Sequence, residues 1–510
     1  FRDVAFSTTD AFGKVTFETS SRGELTLKLG FHDEDNVSDA VGLTREMYRA
    51  NPRRSTVAPN DRMFLRRYDV SLTHEHRFSS ETKLKTLAYA YMLTRTWRRQ
   101  DWTRTPAPGE EYERIVGRIE LPSDAIYFKN TNTVLDRTYY TAGVEPRLEH
   151  RFRTGSLQHT LDVGGRFLTE GATYAQGTGT NPTTYAGSRD YAEHHVAIAG
   201  AAYVHDRIAV RPDLLIVPGV RFEAAHYTRT VDRTRVGSAI QDVNLRGDQG
   251  TTAVIPGIGM VYGSRKLNFF GGEHIGWAPP RLTNAISPRG EPAQTSSEFS
   301  TNFEAGVRTA LVPWLRAEGT GFLSIYKNQV ISSPTGAGQA QETVDAGPTR
   351  IAGAEAAALF GLGKLLRWST AVDVGARYTY SRATFASGAF RGNLLPYAPL
   401  HSVNANIDVE HESGIGGQVA WAWIGEQFSD QANTLEADAT GNIGLIPSRQ
   451  IVDVTAHYKH KPTGLSVRLS VKNALDDVYI WARRPNGIFA SGFRQIILVV
   501  RWEYDAGPPS

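Results

Sequence analysis

Along most of this chain, apolar residues recur at every second position in stretches of about eight to twelve residues, which is the period of a strand and not of a helix. Leu25, Leu27, Leu29 and Phe31 form one face, and Glu24, Thr26, Lys28 and Gly30 form the other. Leu465, Val467, Leu469 and Val471 alternate in the same way with Ser466, Arg468, Ser470 and Lys472. Val403, Ala405, Ile407 and Val409 do so with Ser402, Asn404, Asn406 and Asp408. The pattern predicts about nineteen strands, near 12–19, 23–33, 62–77, 82–98, 136–153, 157–170, 189–206, 213–229, 251–263, 266–275, 299–310, 313–328, 349–361, 364–382, 400–411, 415–428, 450–461, 463–472 and 492–504.

The connections alternate. Short turns at Ser20–Arg22, Ser79–Glu81, Thr154–Ser156, Ser264–Arg265 and Lys461–Pro462 are separated by long polar segments such as 34–61, 99–135, 171–188, 230–250 and 429–449. Short then long is the pattern of an outer-membrane barrel, with tight turns at the periplasmic rim and long loops at the extracellular rim. A soluble sandwich also alternates along its strands, but its connections are mostly short. The fold class expected is therefore all-β, a transmembrane antiparallel β-barrel. Residues 1–504 form it and 505–510 are a C-terminal extension.

Composition agrees once the barrel is considered. Mean hydropathy is −0.34 over 510 residues, and no stretch approaches the ~20 consecutive apolar residues of a spanning helix. A closed sheet pairs every backbone group and shows lipid only one residue in two, so half of each strand is free to be polar. Aromatics near the ends of the apolar band, Tyr89, Tyr91, Trp421, Trp423, Trp502 and Tyr504, suit a membrane interface. Lys+Arg number 56 against Asp+Glu 53, so no charge excess points to nucleic acid. Cys is 0, which removes thiol nucleophiles and cysteine-based metal sites.

Strand parity adds an expectation. If long loops are extracellular, strand 12–19 runs inward, residue 1 lies on the extracellular side and the C-terminus is periplasmic. Single-chain bacterial barrels have even strand counts, so strands preceding Phe1 are expected from elsewhere.

Catalytic motifs are thin. No His-Glu-x-x-His, Walker loop or Gly-x-Ser-x-Gly elbow occurs, and no catalytic residue, metal site or bound cofactor is expected. Gly257–Gly263 is glycine-rich but lies within a strand. His74 and His76 share a strand face, and two ligands do not complete a metal site. His194 and His195 point to opposite faces. Asp33, Glu34 and Asp35 open a long loop. The arginines say more: Arg95, Arg98 and Arg99 gather where strand 82–98 leaves the membrane, Arg137 opens the next strand, and Arg189 opens a later one. Such guanidinium groups at the outer rim suit an anionic ligand, and anionic outer-leaflet lipid, including lipopolysaccharide, is the competing partner.

Pro59–Arg67, Gln427–Thr434 running to Gly444–Pro447, and Val471–Tyr479 with its Lys-Asn-x-Leu-Asp-x-x-Tyr pattern resemble TonB-dependent outer-membrane receptors, most closely the ferric dicitrate receptor branch. Gly219–Glu223 and Phe303–Arg308 are similar to strand patterns of that family. The resemblance implies a 22-stranded barrel around an N-terminal plug, importing a ferric chelate as transported ligand with energy from the TonB–ExbB–ExbD complex. By this resemblance the plug, the TonB box and about three barrel strands lie outside this chain, and a separate plug-containing polypeptide or a further segment supplies them. Asp136–Tyr140 looks like the stretch that carries one citrate-contacting arginine, here Arg137. Arg95 falls one position from a second and Arg189 lies near a third. A glutamine contact falls at Pro334, which cannot serve. The alternative function is a receptor-derived barrel acting as a structural scaffold in a larger outer-membrane complex without import.

Overall fold

In a computed structural model, the described residues are 5–503 apart from 39–40, 55–56, 122, 186, 293–296, 334–341 and 485. Tyr504, the 505–510 extension and Pro334 therefore lie outside them. Strand residues gather into one 20-stranded antiparallel sheet. Its consecutive strands are β1 Phe6–Ser20, β2 Gly23–Val37, β3 Arg62–Arg77, β4 Thr82–Thr103, β5 Ile126–Thr154, β6 Leu157–Gly179, β7 Ser188–Arg211, β8 Leu214–Val236, β9 Ala239–Gly263 and β10 Leu267–Ala278. It continues through β11 Glu298–Val312, β12 Leu315–Tyr326, β13 Thr349–Gly361, β14 Ala371–Phe385, β15 His401–Glu410, β16 Ile415–Ile424, β17 Arg449–His460, β18 Leu465–Lys472 and β19 Gln495–Trp502. A three-residue strand, Arg114–Val116, pairs with the start of β5 and completes the sheet. The expected meander of all-β strands is thus present, each strand pairing with the next.

Register divides the residues between two faces, because partners directly opposite one another share a face. Leu27, Leu72 and Ala88 lie on successive strands, as do Phe31, Tyr68, Met92 and Tyr140. This apolar face is the outer one: Tyr68, Val70, Leu72, Phe167 and Ile198 are all exposed. The polar face lines the lumen. Tyr89 and Tyr91 fall on it beside Ser71 and Asp69, and the Tyr89 hydroxyl donates to Glu145 at 3.2 Å. The expectation that they front lipid is corrected; Trp421 and Trp423, opposite Ala405 and Val403, do lie on the apolar face.

The strands outgrow their expected lengths at one rim. β5 has 29 residues and β9 has 25, where a membrane needs about 9–11. Much of 99–135, 171–188 and 230–250, expected as loop, is paired strand; between β8 and β9 the ladder runs to Val236↔Ala239, leaving Gly237 and Ser238 as the turn. None of these extensions sits between lipid and a polar lumen: β9 between Ala239 and Gly250 is half-buried or exposed apart from Gly247, whereas the start of β5 packs Ile126 and Phe128 into a loop core, so they lack the regular apolar alternation of a membrane strand. Between β13 and β14 the correction runs the other way. Leu362–Leu366 is a short helix that ends on left-handed Arg367, and the strand begins at Ala371 and not at 364.

Apolar burial concentrates above the barrel, not in it. Val41, Leu43, Met47, Val57, Val116, Ile126, Phe128, Ile446, Ile480 and Ile488 form one buried cluster, drawn from the start of β5 and from the connections β2–β3, β4–β5, β16–β17 and β18–β19. Leu43 and Ile488 exchange backbone hydrogen bonds of 2.8 and 2.7 Å. The helix Arg45–Ala50 is capped by Thr44, whose side chain accepts from Met47 N–H and donates to Asp124. Burial alone would raise the Asp124 carboxyl, but hydrogen bonds from Thr44 and from the Arg118 backbone and side chain outweigh it and hold it below the usual range. The β2–β3 and β18–β19 connections, distant in sequence, thus share one core. Among the described residues, no ladder joins β1 to β19. All positions of both strands are exposed, and both run from the long-loop rim to the short-turn rim.

Candidate functional site

In the upper half of the lumen, the register brings two expected residues together. Arg95 of β4 lies directly opposite Arg137 of β5, which puts their Cα atoms about 5 Å apart. Like charges in that position destabilise a sheet unless something offsets them. Among the described residues neither arginine has a carboxylate within ion-pair distance, and Arg95 Nε is buried without a hydrogen-bond partner. The Arg137 guanidinium lies 4.7 Å from the Tyr174 ring centroid.

Further groups complete this wall. Tyr174 follows Arg137 on the next strand and meets Tyr139 edge-on at 5.8 Å and His195 at 4.6 Å. Arg229 of β8, opposite His195, binds Glu193 at 2.6 Å, with both side chains 6% exposed. Glu193 also accepts from the Tyr191 hydroxyl at 2.6 Å and lies 3.2 Å from His195. A second hydrogen bond of 2.6 Å runs from Arg229 to the Ile286 carbonyl, in the β10–β11 connection. Ile286 and Ala285 pack there against Tyr227 of the barrel wall. The arrangement can therefore hold an anion at Arg95 and Arg137 against an aromatic floor, with a rigid ion-paired wall beside it.

The remaining expected arginines are not part of this group. Arg98 takes the opposite strand face from Arg95. It is 6% exposed, donates to the Asn60 and Thr183 carbonyls at 3.2 and 2.5 Å and lies over Tyr185 at 4.3 Å, so it ties two loops together and is removed from the site. Arg99 shares the lumenal face but sits over Trp97 at 4.7 Å, nearer the rim. Arg189 is exposed, and its backbone carbonyl accepts from Arg233 at 2.8 Å; its side chain does not join Arg137. His194 and His195 do point to opposite faces, with His194 3.0 Å from Asp232. His74 and His76 stack at 6.2 Å beside Phe78 near the short-turn rim. Among the described residues, no group of three or more His, Cys, Asp or Glu could hold a metal ion.

Sequence reasoning did not find Tyr174, Glu193, Arg229 or Tyr191. These residues are joined only by cross-strand register, and that register shifts at a bulge between Ala192 and Glu193. One signal was available within the sequence: parity along β4 separates Arg98 from Arg95 and Arg99.

Comparison with known proteins gives the same architecture. Residues 9–474 match the family model described as TonB dependent receptor-like, beta-barrel. The ferric citrate transporter FecA in its unliganded form superposes with a TM-score of 0.79 at 22% identity, covering 98% of this chain and 70% of that one. The closed form of the ferric-catecholate import receptor Fiu from E. coli gives 0.76 at 16%, covering 98% and 75%. The siderophore receptor PiuA from Acinetobacter baumannii gives 0.74 at 12%, again covering 98% and 75%. The chain belongs to the TonB-dependent receptor-like β-barrel family, and its barrel is an outer-membrane barrel.

Proposed function

We propose that this chain is the barrel portion of a receptor that imports an anionic ferric chelate, of ferric citrate or siderophore type, with the long loops on the extracellular side. The observation that supports this reading is the facing pair Arg95 and Arg137, two lumenal cations with no protein counter-charge among the described residues. A chelate carrying several carboxylates offsets their repulsion through charge-assisted hydrogen bonds. Binding of this kind needs no nucleophile and no general base.

In this reading a plug and about three further strands, from another polypeptide or a further segment, close the barrel, and the TonB–ExbB–ExbD complex acts through that plug. β1 and β19 run in the same direction and no ladder joins them among the described residues, so an antiparallel closure needs an odd number of intervening strands. The test is uptake of radiolabelled ferric citrate by cells that carry or lack this chain, combined with mass spectrometry of the purified assembly. Loss of uptake on deletion and a co-purifying plug segment support the reading; undiminished uptake overturns it.

A further inference from the structure

On the outer wall, β13 turns a run of small side chains toward lipid. Its outward positions Ala352, Ala354 and Ala356 lie opposite Leu323, Gly321 and Gly319 of β12. On the other side Tyr380 and Tyr378 of β14 stand opposite Ala354 and Ala356. Tyr378 in turn lies opposite Val403, the partner of Trp423 on the lipid-facing side. The small residues therefore floor a shallow groove that runs along β13 into the membrane, with the tyrosines as one bank. That bank is held in place: the Tyr378 hydroxyl and His401 Nδ1 are hydrogen-bonded at 2.8 Å, and the Tyr380 ring lies 5.3 Å from His401.

Two cations stand at the long-loop end of the groove. Arg382 lies opposite Ala352, and Arg350 lies opposite Thr384, two positions beyond Arg382. The two arginines are thus diagonal neighbours, about 7–8 Å apart. Both are exposed, and among the described residues neither has a carboxylate within ion-pair distance. Arginines near the same rim on the β3 part of the outer wall are satisfied by the chain itself: Arg66 takes Asp33 at 2.7 Å and Arg62 takes Asp35 at 2.8 Å. A plug inside the barrel cannot reach this outward face, and strands closing the seam would add beside β19, with β16–β18 in between.

We infer that this groove binds a phosphorylated glycolipid of the outer leaflet, with phosphates on Arg350 and Arg382 and an acyl chain along Ala352, Ala354 and Ala356. The tyrosines and Trp423 mark the membrane interface, and the guanidinium groups stand one step beyond it, at headgroup level. Each offers a planar fork to phosphate oxygens. Two cations side by side suit a lipid with two phosphates better than a phospholipid with one. The inference rests on the proposed orientation, with long loops extracellular, and is independent of the imported chelate.

The test uses the assembly purified from outer membranes, stripped of lipid by detergent exchange and titrated with bisphosphorylated lipid A under native mass spectrometry. Ferric citrate binding is measured on the same samples. R350A/R382A should bind lipid A at least about tenfold more weakly than wild type, as expected for loss of charge-assisted hydrogen bonds, and phosphatidylglycerol should bind wild type at least about tenfold more weakly than lipid A does. Ala354→Trp fills the groove and leaves both arginines; it should weaken lipid A binding by about tenfold, the equivalent of roughly two methylenes kept from the wall. Heat-modified gel mobility checks that each variant is folded. Unchanged lipid A affinity in R350A/R382A or in Ala354→Trp, or equal affinity for phosphatidylglycerol, overturns the inference and leaves the import reading standing. Absence of ferric citrate binding from wild type, with the lipid A differences intact, would sink the import reading and leave this one.

Discussion

Arginines on two stretches of the same lumenal wall meet opposite fates. On β7 and β8, Arg229 is buried against Glu193 at 2.6 Å and donates to a loop carbonyl. On β4 and β5, Arg95 and Arg137 oppose one another with no carboxylate within ion-pair distance among the described residues. The difference separates structural charge from charge left available: a buried ion pair is satisfied by its own fold, whereas a facing pair of cations carries a repulsion that an anionic ligand relieves.

The largest expected effect breaks the paired side. Glu193→Ala leaves Arg229 buried without its carboxylate and should cost about 3–5 kcal/mol, read as a lowered unfolding temperature in detergent. Arg137→Ala, by contrast, should leave that temperature nearly unchanged. Equal losses from the two substitutions would erase the distinction.

The comparison depends on knowing which face is lumenal, and Val467→Arg sharpens that assignment. Val467 shares the apolar face with Tyr458 and Val500. A charge there should cost about 2–4 kcal/mol at the membrane midplane, measured by denaturant titration in lipid vesicles. A negligible cost would mean that this face does not see lipid.

A smaller effect is expected in the loop core above the site. Thr44→Ala removes the helix cap over Met47 and the donor to Asp124, costing about 1 kcal/mol, and should appear as faster amide exchange in Arg45–Ala50. The smallest is the pH response of the same contact. Because the folded Asp124 carboxyl lies below its ordinary value near about 3.9, its stabilisation is complete above that pH and is lost as pH falls through the lowered value. Asp124→Asn should remove this acid sensitivity from thermal unfolding.

What could be read from the sequence follows from solvent contrast. Where one strand face meets lipid and the other a polar lumen, as in Leu25–Phe31, alternation marks the strand and its partners. Above the membrane neither face meets lipid, and the signal fades although pairing continues, as at the start of β9 from Ala239. The site was half readable for a related reason. Arg95 and Arg137 stand out as rim arginines. Arg98 resembles them until its strand face is considered, and it ends against Tyr185. Glu193 and Tyr174 reach the site only through register across three strands, including a bulge. The core of Leu43, Phe128, Ile446 and Ile488 joins connections distant in sequence and has no local period.

The most direct test of the central claim is the affinity of the purified assembly for ferric citrate, compared between wild type and R95A/R137A. The account predicts an affinity at least about tenfold lower with an unchanged unfolding temperature. Unchanged affinity in the folded double variant would contradict it.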